Sequence, residues 1–136
     1  MCSSDLTVQG DEDKAYHSQN LVAEQLVGEG FMEILNNSLT KASYYTDFDL
    51  NKYPDEHTVK VMNPLSADLG VMRQTMLFGG LESVSRNINH KSANLKFFEV
   101  GNTYLYNKEK WDAENPIKGY NQEGHISLFI RSEERR

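Results

Sequence analysis

The sequence predicts an α+β fold with antiparallel strand pairing. Residues 14–28 and 74–89 carry apolar side chains at the 3.6-residue spacing of amphipathic helices. Other segments are rich in the aromatic and β-branched residues that favour strands. The connections after Gly30 and before His125 are short, which favours antiparallel pairing. The 136 residues are within the usual size range of one domain.

Composition restricts the possible classes of function. The formal net charge is −6 and the pI is about 5.2, which opposes nucleic-acid binding by this chain alone because phosphate backbones are bound by clustered Lys and Arg. Cys2 has no second cysteine to pair with, so we expect no disulfide, no cysteine-based zinc site and a reducing, cytoplasmic setting. No apolar run approaches the roughly 20 residues that cross a bilayer, so we expect no membrane contact.

The first 40 residues predict a leader, a helix and a strand. Residues 1–13 are polar and acidic without periodicity, which is typical of a disordered leader, so the domain is assigned to residues 14–136. Residues 14–28 predict an amphipathic helix that ends at the glycines of "GEG", with an apolar face built from Leu21, Val22, Leu26 and Val27. The stretch "FMEILNNSLT", residues 31–40, predicts a buried strand.

The next segment predicts a short helix, a loop and a short strand. Residues 41–58 contain Pro54 and show no sustained period, which indicates a short helix followed by a loop. Residues 58–62, "TVKVM", are mostly β-branched and predict a strand. The dipeptide of Asn63 and Pro64 then ends this strand in a turn.

Residues 74–89 predict the second long helix. Its apolar face is formed at helical spacing by Leu77, Leu81, Val84 and Ile88. Gly79 and Gly80 weaken this helix by roughly 1 kcal/mol each relative to alanine if they lie in its interior.

The last third of the chain predicts a β-hairpin. Residues 93–109, "ANLKFFEVGNTYLYNKE", predict a strand with a bend or bulge at Gly101, and "HISLFIR" is its expected partner strand. The polar loop between them contains Trp111, which either packs back on the domain or lies in an interface. The tail "RSEERR" is charged where the sheet should continue, so we expect a domain truncated at its C-terminus with an uncovered sheet edge.

Few side chains are spaced for catalysis or metal binding. The four histidines lie singly, and none has the HxxxH or HExxH spacing that places two imidazoles on one metal. Asp47 with Asp49, and Asp11 with Asp13, lie in polar segments that are typical of solvated acidic patches. The sequence has no GxSxG elbow, P-loop or GxGxxG fingerprint. We therefore assign no catalytic, cofactor-binding or metal-binding residue.

Arg73 and Glu99 are the two charged residues that need an explanation. An arginine between apolar residues before a helix could present its planar guanidinium to a carboxylate or phosphate ligand. Alternatively, it pairs with a carboxylate such as Asp68 or Glu82, or caps backbone carbonyls. Glu99 lies on an apolar strand, where a buried carboxylate needs a donor. We hypothesise that Arg73 and Glu99 are each other's partner.

Three ordered motifs resemble one protein family. "GFMEILNNSLT", "VMNPLSADLGVMRQTMLFGGLESVSRNINHK" and "LKFFEVGNTY" are similar to the catalytic-like domain in the beta subunit of bacterial phenylalanyl-tRNA synthetase. The family pattern contains GF-x-E-I, N-P-L-S, M-R-x-S/T-L, a helix with an Asn near its end, and F-E-x-G. The resemblance covers about residues 14–106. Phe78 and Gly79 stand where the family usually has a proline, which implies a looser helix start.

This resemblance implies a class II aminoacyl-tRNA synthetase-like fold and a subunit of phenylalanine–tRNA ligase. It implies an alpha subunit as partner, in a heterotetramer of two alpha–beta pairs, and tRNA contact through the whole enzyme. ATP and Mg²⁺ are expected in the alpha subunit and no cofactor in this chain. The domain is expected to be non-catalytic and to support assembly. The candidates for structural or interface roles are Arg73, Glu99, Asn63, Pro64 and Trp111.

A missing residue pair also argues against catalysis. An active class II domain carries an arginine, followed two residues later by an acid, on the strand after its second motif, and this arginine clamps the ATP α-phosphate. By ungapped placement, Leu105 and Asn107 stand at these positions. Two alternatives remain open, namely a free-standing class II-like ligase that activates a small carboxylic acid, and an acidic protein-binding module unrelated to synthetases.

Overall fold

A computed structural model of the chain describes residues 11–47, 52–92 and 94–132, with side chains from residue 14 onward. The fold is α+β, as predicted. In chain order the helices and strands are α1 Asp11–Gly28, β1 Met32–Glu33, β2 Leu39–Thr40, α2 Ser43–Thr46, β3 Val71–Met72, α3 Leu77–Asn89, β4 Leu95–Tyr106 and β5 Tyr120–Arg131. Short 3-10 helices cover Asp55–His57, Ala67–Leu69, Lys108–Lys110 and Pro116–Gly119.

The predicted hairpin is confirmed and is longer than expected. β4 and β5 pair antiparallel and one to one over 12 residues each, from Leu95 opposite Arg131 to Tyr106 opposite Tyr120. Gly101 lies opposite His125 without an extra residue, so a bulge at this residue is wrong. Glycine is needed at residue 101 because a neighbouring side chain packs against the strand there.

The expectation of a purely antiparallel sheet is wrong. The main sheet has the order β1, β4, β5, and β1 pairs parallel to β4, with Met32 opposite Phe97. A parallel pair needs a long crossover connection, and the chain supplies one here because α2, β3 and α3 all lie between β1 and β4. A second, two-stranded sheet joins β2 to β3 in antiparallel pairing.

Two predicted strands are shorter in the structure. The segment 31–40 is not one buried strand but the two strands β1 and β2, and the side chain of Leu35 between them is 88% exposed. The segment 58–62 forms one isolated bridge, between Lys60 and Val71. The turn after it contains Asn63 and Pro64, as predicted, and both are exposed.

The helices lie where periodicity placed them, but their apolar faces are covered only in part. α1 begins at Asp11, three residues before the predicted start, and residues 1–10 lie outside the described residues. Leu21, Val22 and Val27 are each at least 42% exposed, and in α3 Leu77, Leu81 and Ile88 are also exposed. Leu26 and Val84, which belong to the same two faces, are half-buried. Within the described residues, the prediction that these faces pack into the domain core therefore holds only in part.

The core is formed by residues of the main sheet and by residues around the start of α3. The buried apolar residues are Tyr45, Val71, Met76, Leu95, Phe97 and Phe98. α3 begins at Leu77 rather than at Gln74, and the Gln74 N–H donates to the Tyr45 hydroxyl. In the described part of the chain, no helix combines the length and apolar character that crossing a membrane requires.

Candidate functional site

The hypothesis that Arg73 pairs with Glu99 is confirmed. Arg73 Nη1 donates to Glu99 Oε1 at 2.6 Å, and the two side chains are 6% and 0% exposed. The alternative partners of Arg73 are wrong, since Asp68 lies 3.8 Å from Lys41 Nζ and Glu82 accepts from the Tyr44 hydroxyl. A buried charge requires this kind of compensation because desolvation is costly.

Arg73 is also held through its backbone and its Nε atom. Its N–H donates to the Ser38 carbonyl at 2.9 Å, and its carbonyl accepts from the Tyr104 N–H at 2.9 Å. Its Nε donates to the Asn102 carbonyl at 2.8 Å, so the predicted capping of a backbone carbonyl occurs together with the ion pair. Arg73 therefore joins the segment before β2 and the end of β3 to β4.

Gly101 makes room for this arginine. A Cβ atom at residue 101 would overlap Arg73 Nη2 and would lie 3.0 Å from Met76 Sδ. Hard overlap of this kind is relieved only if a neighbour moves, and the Arg73 side chain is held by Glu99 and by the Asn102 carbonyl. The strand thus needs glycine at this position for side-chain packing.

Replacing Gly101 with alanine is therefore expected to destabilise the chain. We expect Gly101→Ala to lower the free energy of unfolding by about 2 kcal/mol, because the guanidinium must shift and loses part of its hydrogen bonding. Urea unfolding followed by circular dichroism measures this change.

Gly124→Ala is the matched control for this prediction. Gly124 lies on the partner strand opposite Asn102, and a Cβ there would meet only Asn102 Oδ1, at an ordinary 3.6 Å. We expect a change within about 0.5 kcal/mol for this variant. Equal losses for the two glycine variants would contradict the packing role of Gly101.

Asn36 completes the shell around Glu99. Its Nδ2 donates to Glu99 Oε2 at 2.8 Å and its N–H to Glu99 Oε1 at 3.3 Å. Its Oδ1 accepts from Ser83 Oγ at 2.7 Å, which extends the network to α3. Sequence reasoning missed Asn36 because an asparagine in a polar run carries no signal of a carboxylate 63 residues away.

A second buried layer is built around Gln74. Its Nε2 donates to Thr58 Oγ1 at 2.6 Å and to the Pro54 carbonyl at 3.0 Å, while its N–H donates to the Tyr45 hydroxyl. Burial raises the pKa of Tyr45 above its ordinary value. Gln74 Oε1 is buried and accepts no hydrogen bond within the described residues.

The side chains of Tyr44 and Glu82 form a hydrogen bond between α2 and α3. The Tyr44 hydroxyl donates to a Glu82 carboxylate oxygen, and this bond is the main cause that raises the pKa of Tyr44 to about 12. The Tyr44 ring stacks on Phe78 with ring centroids 4.5 Å apart, and Tyr45 meets the same ring edge-on at 5.7 Å. These aromatic contacts hold α2 against the start of α3. The resemblance implied a looser helix start at this point, because Phe78 and Gly79 stand where the family usually has a proline.

One face of the hairpin carries a cleft, here named the sheet cleft, with a volume of about 430 Å³. It is lined by parts of the loop 52–57, by residues 74–76, and by side chains of the hairpin, namely Thr103, Leu105, Glu123, His125 and Ser127. Leu105, which the resemblance places at the position of the ATP-clamping arginine, lines this cleft. Among the described residues that line it there is no arginine.

The other candidates lie apart from the Arg73–Glu99 pair. Asn63 and Pro64 are exposed in the turn before Ala67–Leu69. Trp111 is 47% exposed and packs on the buried Gly119, whose added Cβ would lie 3.2 Å from the Trp111 Cβ. Packing on the domain is therefore confirmed for Trp111, and its interface role stays a prediction.

The described residues contain no group of three or more His, Cys, Asp or Glu side chains that could hold a metal ion. His57 and His125 both line the sheet cleft. Of the acidic pairs of the sequence, Asp49 and the side chains of Asp11 and Asp13 lie outside the described residues.

Comparison with known proteins gives one consistent result. Residues 3–134 match the family described as "Phenylalanyl tRNA synthetase beta chain CLM domain". The chain is 55% identical over 127 residues to the phenylalanine–tRNA ligase beta subunit of Bacteroides fragilis, covering 93% of this chain and 15% of that protein. The corresponding protein of Bacteroides thetaiotaomicron is 53% identical over 128 residues, with coverage of 94% and 15%. That of Porphyromonas gingivalis is 46% identical over 120 residues, with coverage of 88% and 14%. The chain thus spans about 15% of the length of such relatives.

Proposed function

Because the chain belongs to the family of phenylalanyl-tRNA synthetase beta-chain CLM domains, we propose that it is a non-catalytic domain that packs against a ligase alpha subunit. The enzyme would charge tRNA with phenylalanine, as a heterotetramer in the cytoplasm. ATP and Mg²⁺ would be bound by the alpha subunit, and tRNA would be bound through the whole enzyme. The specific class II synthetase-like fold is part of this proposal.

The main support for the non-catalytic role is the set of contacts that the Arg73 side chain makes. Its guanidinium is 6% exposed and is tied to Glu99 and to the Asn102 carbonyl, so it is not presented to a ligand. Transition-state stabilisation of phosphate chemistry requires a cation aimed at the developing charge. Leu105 lines the sheet cleft where the resemblance places the clamping arginine, and an aliphatic side chain cannot neutralise phosphate charge.

The partner role is supported by apolar surface on both long helices. Leu21, Val22 and Val27 of α1 are 54%, 42% and 58% exposed. Exposed apolar stripes on amphipathic helices are typical of surfaces that pack against other helices. Trp111 and Tyr120, 47% and 51% exposed, are further candidates for subunit contact. The family match excludes a binding module unrelated to synthetases.

Co-purification with an alpha subunit from the same organism tests the partner role. We expect the chain to retain the alpha subunit on an affinity column. We expect the double variant Leu21→Glu with Val22→Glu to weaken this binding at least about tenfold, because two charges would be buried in an apolar contact. The matched control, Asn20→Glu with Gln25→Glu, adds the same charge to exposed polar positions of α1 and should bind like the original chain.

Isothermal titration with MgATP tests the non-catalytic role separately. We expect no saturable heat with the isolated chain, because among the described lining residues the sheet cleft has no arginine to hold a phosphate. Saturable Mg²⁺-dependent binding would overturn the non-catalytic assignment. Failure of both the chain and the control variant to retain the alpha subunit would overturn the partner role.

A further inference from the structure

We infer that the sheet cleft binds a small primary amine with a short apolar body, because hydrogen-bond acceptors meet there with an apolar wall. This inference does not rest on the proposed function. It concerns the part of the hairpin that α3 leaves uncovered, and it depends on the described residues alone.

The register of the hairpin gathers the acceptors on one face. Directly opposite residues of an antiparallel pair share a face, so Thr103 lies beside Glu123. Ser127, four pairs along the ladder and opposite Glu99, is on the same face. Two hydroxyls and a carboxylate therefore line the cleft together. Bulky side chains do not fill this space, because Thr103 and Ser127 are small.

Gln74 adds a buried acceptor at the edge of this group. The residue lines the cleft and is 3% exposed, and its Oε1 has no donor within the described residues. The orientation of the amide is set by the Pro54 carbonyl, which can only accept and so requires Nε2 on its side. A buried acceptor without a donor is unfavourable, and a donor that reached this oxygen would satisfy it.

A carboxylate lies among the hydrogen-bond acceptors of the hairpin. Glu123 is the one carboxylate among the lining residues described; its Oε1 accepts from Asn121 Nδ2 at 2.7 Å, and its Oε2 lies 3.6 Å from His125 Nε2. Lys52 also lines the cleft, with its Nζ 5.8 Å from the centroid of the Tyr53 ring. The Glu123 carboxylate attracts an ammonium group to the hydroxyls beside it.

The cleft also accommodates apolar atoms. Met76 is 2% exposed, and with Leu105 and the Tyr53 ring it supplies the apolar lining of the cleft. Small-molecule sites typically combine such walls with a few converging polar groups. An amine on a benzyl-sized body matches both parts of this lining.

Benzylamine is the probe for the first experiment, with benzyl alcohol and benzoate as matched comparisons. We expect benzylamine to cause saturable amide shifts in ¹⁵N-labelled chain, centred on Thr75, Thr103 and His125. We expect the alcohol and the acid to bind about fivefold more weakly, because they lack the ammonium group. The absence of saturable shifts would overturn the inference, as would tighter binding of benzoate or of MgATP at the same amides.

A pair of charge variants forms the second experiment. Glu123→Gln is expected to weaken benzylamine binding about three- to fivefold. Glu114→Gln removes the same charge from an exposed residue outside the cleft and should leave the affinity unchanged. Well-dispersed spectra of both variants show that each is folded. Equal affinities of the two variants for benzylamine would contradict recognition by Glu123.

Discussion

Replacing Arg73 with methionine, or Glu99 with leucine, should lower the free energy of unfolding by about 3–5 kcal/mol in each case. Each substitution leaves the other charge buried without its partner, since both side chains are at most 6% exposed. Urea unfolding at pH 7 measures the loss. The double variant should lose at least about 2 kcal/mol less than the sum of the two single losses, because it leaves no unpaired charge.

The exposed pair of Lys60 and Asp55 is the control for this cycle. Its atoms lie 3.4 Å apart, but the two side chains are 66% and 41% exposed. Lys60→Met and Asp55→Leu should therefore each change the stability by no more than about 1 kcal/mol, with little coupling. Additive losses for Arg73 and Glu99 would show that the buried pair is not an energetic unit.

Gly80→Ala should destabilise the chain by about 3 kcal/mol, although alanine is the better helix former by about 1 kcal/mol. A Cβ at residue 80 would overlap three ring atoms of Phe129, where α3 packs on β5. The helix would have to move away from the sheet, or the ring would have to leave its position. Thermal unfolding followed by circular dichroism measures the effect.

Two further variants separate the effect of the contact between residue 80 and Phe129 on stability from the effect of helix propensity. Gly28→Ala, at a position with no atom within 4 Å of the added Cβ, should change the stability by less than about 1 kcal/mol. Phe129→Leu should destabilise the original chain, but it should recover part of the loss when it is combined with Gly80→Ala, since a smaller side chain makes room for the methyl group. A Gly80→Ala variant as stable as the original chain would contradict the close approach of α3 to Phe129.

The sequence predicted the local features of the fold well. The second long helix, the hairpin and the turn at Asn63 and Pro64 were all found, because periodicity and turn residues are local signals. Predictions of burial were less successful. The apolar faces of α1 and α3 were expected in the core. Helical spacing predicts a face that packs against another surface, but it does not show whether that surface belongs to the same domain.

The candidate site was predictable only in part. Arg73 and Glu99 stand out because each is a charge among apolar residues, and pairing followed from the cost of burying them singly. Their remaining partners gave no such signal, since Asn36 and the Asn102 carbonyl are ordinary polar groups. The sheet cleft depends on the register of two strands and could not be read from either strand alone.

By itself, the sequence determined the α+β class, the family and the charge pair, because composition, motif order and isolated charges are properties of the chain. The tertiary structure alone decided that β1 joins β4 in parallel, that Gly101 accommodates an arginine rather than a bulge, and that Gly80 is needed against Phe129. These features have a common physical cause. Each depends on close packing between residues distant in sequence, and such contacts leave no periodic signal in the chain.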